Sequence, residues 1–505
     1  MPQVLIVGAG PVGLTMAAEL ARYGIPVRIV DRSPNPTRTS KALVVWSRTL
    51  ELMDRMGCTA TFLTAGLRAR GVTIRDGKRT LGHSGFGRIA SPYAFALMIP
   101  QSETERLLAA HLASFGVGVE RPVELVSFAE GPDGVAALLR HADGHEEMVH
   151  TPWLVGCDGA HSTVRHGLDL EFHGKAQGDD WMLADVRLEG ERRPAADEIA
   201  IYLHRAGPFV IFPIPGGRAR VIATVGRTDP AHPQPDPTLA EVQAMIDRRA
   251  GGGFRATDPV WLSNFRINGR KVADYRGSRA FLVGDAAHVH SPAGGQGMNT
   301  GMQDAIGLAW RLALVMRGAA AELLDSYGVE RSAVGDRVLR NADRLTRMGT
   351  LSNPAAQAAR NLAIRVLLGV PAARDAVATA MSETDIGYPN SPLSQGEGAG
   401  TRLAPQHYDG SPPGAGREPR FVLHAADAGR GADLATRFPT LVEARVRKPP
   451  DARKLLIVRP DGYVGFAGDR EAWSGAEPYL RRWRGSEPPS AGPRQSAHAW
   501  PNEQR

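Results

Sequence analysis

A short apolar run, Val4-Leu5-Ile6-Val7, leads without a break into Gly8-Ala9-Gly10-Pro11-Val12-Gly13. The run is continuously apolar rather than alternating, as in a parallel strand buried on both faces. Helical patterning over 14–23 follows and stops at Gly24, and a second apolar run, Val27-Arg28-Ile29-Val30, ends at Asp31. Strand, glycine turn, helix and strand in so short a span constrain the chain to open with a β-α-β unit, and hence with an α/β domain built on a parallel sheet.

The spacing of the turn carries chemistry. Gly8 permits a tight exit from the strand, Gly10 lets backbone approach a pyrophosphate, and Gly13 lets the helix lie close to the sheet. Pro11 and Val12 complete the turn, and the helix N-terminus offers free N–H groups and partial positive charge to phosphates. Asp31, 18 residues after Gly13 and followed by Arg32, is placed to accept hydrogen bonds from ribose hydroxyls. An acid there disfavours a 2′-phosphate, so the expected dinucleotide is FAD or NAD rather than NADP.

Further along, Gln101–Ala113 is patterned as a helix, and Trp153–Gly156 as another buried strand leading into Cys157-Asp158-Gly159-Ala160. Residues 171–275 change character. Short alternating runs at 181–188, 208–214, 219–225 and 261–267 predict antiparallel strands, with a Pro-rich loop at 229–237. A strand at 280–283 precedes Gly284-Asp285-Ala286-Ala287-His288, and helical patterning then extends to about residue 382. Residues 391–416, rich in Gly, Pro and Ser, read as a linker, 417–485 as a smaller α/β segment, and 486–505 as a disordered tail.

Composition removes several classes. Sixty Lys and Arg against 53 Asp and Glu give a net charge of +7, but the charges are spread out, so no nucleic-acid partner is expected. Cys58 and Cys157 are the two cysteines, too few for a disulfide framework or a Cys-rich metal site, and no metal is expected. Cys157 reads as a small packing residue. The N-terminus lacks the basic region and cleavage site of a signal peptide, and no apolar run approaches membrane-spanning length. The expectation is a cytoplasmic chain with no membrane association.

The motifs at 8–13, 157–160 and 284–288, in that order, resemble those of the class A flavin-dependent aromatic hydroxylases, the family with the p-hydroxybenzoate hydroxylase fold, over about residues 1–385. The resemblance implies an α/β fold. A Rossmann-like FAD-binding domain would be assembled from 1–170 and 276–390, with an inserted antiparallel-sheet substrate domain over 171–275. A C-terminal thioredoxin-like α/β domain would follow the linker over 417–485. By the same likeness Asp285 contacts the ribityl chain of FAD. The stretch Pro292-Ala293-Gly294-Gly295-Gln296-Gly297-Met298-Asn299 wraps the isoalloxazine, with Met298 and Asn299 presenting backbone N–H groups to its pyrimidine edge. Asp158, with Arg165 nearby, matches a motif associated with FAD and pyridine nucleotide, and Gln101 matches a glutamine contact to FAD. Lys41 stands where relatives carry an Arg and loses the bidentate fork. Arg48 and His288 read as structural.

The reaction so implied starts with reduction of FAD by NADH or NADPH. The reduced flavin then reacts with O2 to a C4a-hydroperoxide, which passes one oxygen to an aromatic substrate, phenolic or polycyclic polyketide-type. The cofactor carries the reactive atoms, so no catalytic residue is assigned. The antiparallel layer would cover the flavin, with Trp181, Tyr202, Phe209 and Phe212 as candidate substrate-lining residues. The C-terminal domain contains no cysteine, which rules out thiol–disulfide chemistry there and leaves a structural role. Relatives of this architecture hydroxylate polyketides in antibiotic biosynthesis or inactivate rifamycins and tetracyclines, and both roles stay open. So do a flavin reductase and a non-catalytic flavin-binding protein. A halogenase is disfavoured by the absence of a Trp-x-Trp-x-Ile pattern. The expected partners are a small aromatic substrate and O2, and the expected state is a monomer or homodimer.

Overall fold

The computed structural model describes residues 2–39, 42–227 and 235–485. A five-stranded parallel sheet runs in the order Ala280–Leu282, Trp153–Gly156, Val4–Val7, Val27–Val30, Val119–Glu120. The first strand lies in the centre with all four side chains buried, as its continuous apolarity requires. Each such side chain contributes roughly 1.5–3 kcal/mol by leaving water.

Helix α1 (Pro11–Arg22) follows the glycine turn and starts earlier than the periodicity at 14–23 indicates. Pro11 occupies its first turn, where a missing N–H costs nothing and the fixed φ favours the helix. Helices α2 (Ser47–Met56) and α3 (Gln101–Ala113) follow. Helix α4 (Gly297–Val315) packs on α1 and is buried over most of its length. Helices α5 (Asp325–Gly349), α6 (Pro354–Leu367) and α7 (Pro371–Met381) complete the helical run.

The antiparallel layer forms most of an eight-stranded sheet. Its two longest strands, His173–Glu189 and Arg255–Lys271, pair with each other and exceed the alternating runs that signalled them. Register shifts near Asp180 and Asp185 let so long a pair bend. The strand Glu198–His204 carried no recognised signal. Beyond it, the hairpin Gly71–Asp76 and Arg79–Gly85 joins from outside 171–275. That hairpin pairs in parallel with Glu198–His204. Its turn is Asp76-Gly77, with Gly77 at φ 54°, a dipeptide that marks hairpins.

The C-terminal strands Val422–His424, Lys454–Val458 and Val464–Asp469 form a three-stranded antiparallel sheet, with helices at Ala428–Arg437 and Trp473–Trp483. Residues 391–416 run along it: Gln395 N donates to Gly465 O at 2.9 Å and Leu393 is fully buried. Polar groups of the first unit reach into this segment. Arg55 Nη1 donates to Pro460 O at 2.5 Å, and Trp310 Nε1, on α4, donates to Asp461 Oδ2 at 3.1 Å. Lys41, part of the 229–237 loop and the 486–505 tail lie outside the described residues.

Candidate functional site

The three glycines of the first turn serve three separate geometric needs. Gly8 sits at φ +96°, and a Cβ there would stand 2.4 Å from Cys157 O. A Cβ on Gly13 would stand 1.9 Å from Gly8 O, so the helix can approach the turn only without one. A Cβ on Gly10 would meet nothing within 4 Å, because it would project into open cavity. That cavity, about 230 Å³, is lined by Gly8, Gly10, Asp31, Arg32, Asp158 and His161, among others.

Asp31 braces the turn. Its Oδ2 accepts from Ala9 N at 2.7 Å and its Oδ1 from Ser33 N at 2.8 Å, while Arg121 Nη1 lies 3.0 Å from Oδ1. Asp158 Oδ2 accepts from Val164 N at 3.1 Å, whereas its buried Oδ1 has no hydrogen-bond partner. Burial pushes the Asp158 carboxyl above its ordinary range. An acceptor so placed suits a ligand hydroxyl.

A second cavity, about 610 Å³, continues from the first; Gly10, Cys157 and Gly159 line both. Pro11, Val12, Gln101, Asp285, Pro292, Gly295, Gly297 and Met298 line it. The Gly284-Asp285 turn is held from below by Asp304, on α4. Asp304 Oδ2 accepts from Gly284 N at 3.1 Å and contacts His288 Nε2 at 2.7 Å, and its Oδ1 accepts from Arg331 Nε at 2.5 Å. Burial alone would raise the Asp304 carboxyl, but Arg331 and His288 outweigh it and hold it low. His288 thus serves as a buried brace.

The 292–299 loop is pinned by Trp46 and Asn299. Trp46 Nε1 donates to Gly294 O at 3.0 Å, and Trp46 N donates to Asn299 Oδ1 at 2.8 Å. Asn299 Nδ2 donates to both Val44 O and Gly295 O at 2.9 Å. The Asn299 side chain is therefore spent inside the protein, and Gly297 and Met298 bring the N-terminus of α4 to the cavity. Gln101 opens α3 and is steadied by Glu105, 2.9 Å away. Cys157 is buried, and burial holds its thiol well above the usual range. Arg48 pairs with Glu51 at 3.0 Å and donates to Asp461 O at 2.6 Å.

The opposite wall belongs to the antiparallel sheet and corrects part of the substrate expectation. Phe212 lines the cavity, with Arg220, Ile222, Trp261, Phe265 and Arg266. Trp181 lies on the same face, buried against Ile222 and Phe265, but does not line the cavity. Tyr202 and Phe209 pair with each other across strands and point to the other side, into a core shared with Met182, Ala223 and Val242. Strand side chains alternate, so Phe209 and Phe212 must face opposite ways. The residues missed are polar or lie on the partner strand. Arg220, opposite Phe212 in register, is held by two 2.8 Å hydrogen bonds to Asp185, and Arg266 Nε donates to Asp180 Oδ1 at 2.7 Å.

Among the described residues no group of His, Cys, Asp and Glu is arranged to hold a metal ion, and no helix is long and apolar enough to cross a membrane. Residues 1–342 match the FAD binding domain family. The chain is 38% identical to 6-methylpretetramide 4-monooxygenase of Streptomyces rimosus, over 93% of this chain and 91% of the relative. It is 34% identical to rifampicin monooxygenase of Streptomyces venezuelae, over 72% and 74%. Among solved structures, the anhydrotetracycline hydroxylase of Streptomyces rimosus superposes with a TM-score of 0.78 at 30% identity, over 96% of this chain and 99% of that one.

Proposed function

Because the chain belongs to the FAD binding domain family, we propose that it hydroxylates a polycyclic aromatic substrate of the polyketide type. It is an FAD-dependent monooxygenase that uses NADH or NADPH and O2. The observation that carries the proposal is the continuous pair of cavities, whose far end is walled by Phe212, Trp261 and Phe265 and edged by Arg220 and Arg266. Aromatic faces there suit a planar ring system, and two guanidiniums suit its phenolic or enolic oxygens. Relatives named for tetracycline-type hydroxylations support this class.

The residues present fit FAD. Gly10 leaves open the space a side chain would fill, and Asp158 Oδ1 is a buried acceptor awaiting a donor. In our reading Gly8, Gly10, Pro11, Val12, Gly13, Asp31 and Arg32 hold the ADP half. Gln101, Asp158 and Asp285 hold the middle, and Pro292, Gly295, Gly297, Met298 and Asn299 hold or shape the flavin end. When bound, FAD takes electrons from the nicotinamide and delivers one oxygen atom of O2 to the aromatic ring. The chain binds, orients and shields. The N-terminus of α4 offers partial positive charge at the flavin end, and the aromatic wall excludes water. We read 171–275 as the main part of the substrate layer and 417–485 as a structural unit.

Purified protein should be yellow, and a panel of phenols and polycyclic aromatics, rifamycin and tetracycline included, should accelerate its oxidation of NAD(P)H. Label from ¹⁸O2 should appear in the product by mass spectrometry. Colour and NAD(P)H oxidation without an oxygenated product would instead favour a flavin reductase.

A further inference from the structure

Helix α6 wears its polarity inside out. On its inner side Arg360 Nη1 donates to Met348 O at 2.8 Å, Gln357 Nε2 to Leu351 O at 2.5 Å and Asn361 Nδ2 to Asp76 Oδ2 at 2.9 Å. Its outer side carries Leu362 and Val366, each 61% exposed, with Ala355 and Ala359 continuing the stripe at helical spacing. Leu367, which ends α6, and Val370 just beyond it are exposed too, as are Leu345 and Met348 at the end of α5. A surface helix in water ordinarily turns such side chains inward, and a cluster of exposed apolar side chains marks a contact site.

The charge around the patch is net positive. Residues 343–375 contain Arg344, Arg347, Arg360, Arg365 and Arg374 against Asp343 and Asp375, and Asp343 pairs with Arg347 at 2.6 Å. Arg344, Arg347 and Arg365 are exposed beside the apolar side chains. A second copy of the chain laid on this face would bring two sets of arginines together. An anionic lipid surface would instead accept both the apolar side chains and the guanidiniums.

We propose that the face formed by the end of α5 and by α6 docks peripherally on an anionic lipid surface, with α6 lying in the plane of the headgroups. Such docking needs no spanning helix. The face also adjoins the cavity wall: Thr346, beside Leu345, meets Ser291 at 3.1 Å between side-chain oxygens, and Ser291 lines the larger cavity. The inference is independent of which substrate the cavity takes.

Vesicle co-sedimentation tests it on the full-length protein, comparing phosphatidylcholine alone with phosphatidylcholine containing phosphatidylglycerol. We expect binding to the anionic vesicles at low salt, weakened by added salt. The double variant Arg344→Glu/Arg365→Glu should lose about tenfold or more in affinity, each reversal removing one contact to the anionic surface. Leu362→Ser/Val366→Ser should also release the protein. Both variants should keep wild-type bound flavin by absorbance, which shows that they are folded. No binding to anionic vesicles, or binding unchanged by both variants, would overturn the proposal. A dimer by light scattering that Leu362→Ser/Val366→Ser dissociates, without lipid binding, would show that a second copy covers the face and would overturn it too.

Discussion

Arg459, in the C-terminal sheet, donates to both carboxylate oxygens of Glu330 on α5, at 2.6 and 2.9 Å, and all of these atoms are shut off from water. Glu330 also accepts from Arg311 on α4 at 2.5 Å. The helix whose N-terminus reaches the larger cavity is thus held by a carboxylate that the C-terminal segment helps to neutralise.

Arg459→Ala should therefore destabilise the whole molecule, because Asp461 and Glu330 lose a buried partner. A loss of about 3–5 kcal/mol is expected. Thermal unfolding would show it as a lower midpoint of one cooperative transition. A separate early transition confined to the C-terminal segment would contradict it.

The glycine turn separates two kinds of damage. Gly13→Ala forces a Cβ into Gly8 O, so the protein without cofactor should already be less stable. Gly10→Ala meets no protein atom, so the same protein should melt as wild type yet retain little flavin. Equal melting losses in the two variants would contradict the assignment of Gly10 to ligand contact.

Phe209 and Phe212 give a similar pair. Phe209→Ala opens a hole in a closed core and should cost about 3–5 kcal/mol, measured by denaturant unfolding. Phe212→Ala should cost less stability and act mainly on KM for the aromatic substrate and on the fraction of NAD(P)H oxidation that yields product.

Glu383 carries a pH dependence. It is enclosed behind α4, where burial pushes its carboxyl up to about 8, although Gln303 Nε2 donates to it at 2.5 Å and Thr300 Oγ1 at 3.2 Å. A carboxyl raised in the folded state binds its proton more tightly there than in the unfolded chain. Its stabilising effect is complete below the ordinary carboxylate range and is lost as pH rises toward 8. Glu383→Gln should flatten this decline and leave the variant more stable than wild type by about 2–4 kcal/mol at and above pH 8, read from unfolding midpoints across that range.

How far these features can be read from sequence depends on the kind of signal. The opening β-α-β unit was legible because a buried parallel strand must be apolar throughout and the glycine spacing leaves few alternatives. The Gly284-Asp285 turn was legible as a motif, but its support was not, since Asp304, Arg331 and Glu330 are helical polar residues that pattern like surface. The antiparallel layer was visible as alternation, yet alternation alone does not say which face meets the cavity. Tyr202 and Phe209 were therefore assigned to the wrong side. Arg220 and Asp185 became visible only through the register that sets them opposite each other. The hairpin at 71–85 was missed despite its Asp76-Gly77 turn, because its parallel partner lies more than a hundred residues on.

The arginines that cross to the C-terminal segment also bear on how the chain is made. Emerging from the ribosome, α1 and α2 present Glu19, Arg22, Arg48 and Arg55. Besides Glu19 and Glu51 within these two helices, Arg22 donates to Gly414 and Gly416, Arg48 to Asp461 and Arg55 to Pro460. The parallel sheet itself waits for the strand at Ala280–Leu282. The contacts that complete the seating of these arginines therefore form only once residues 414–461 have been synthesised.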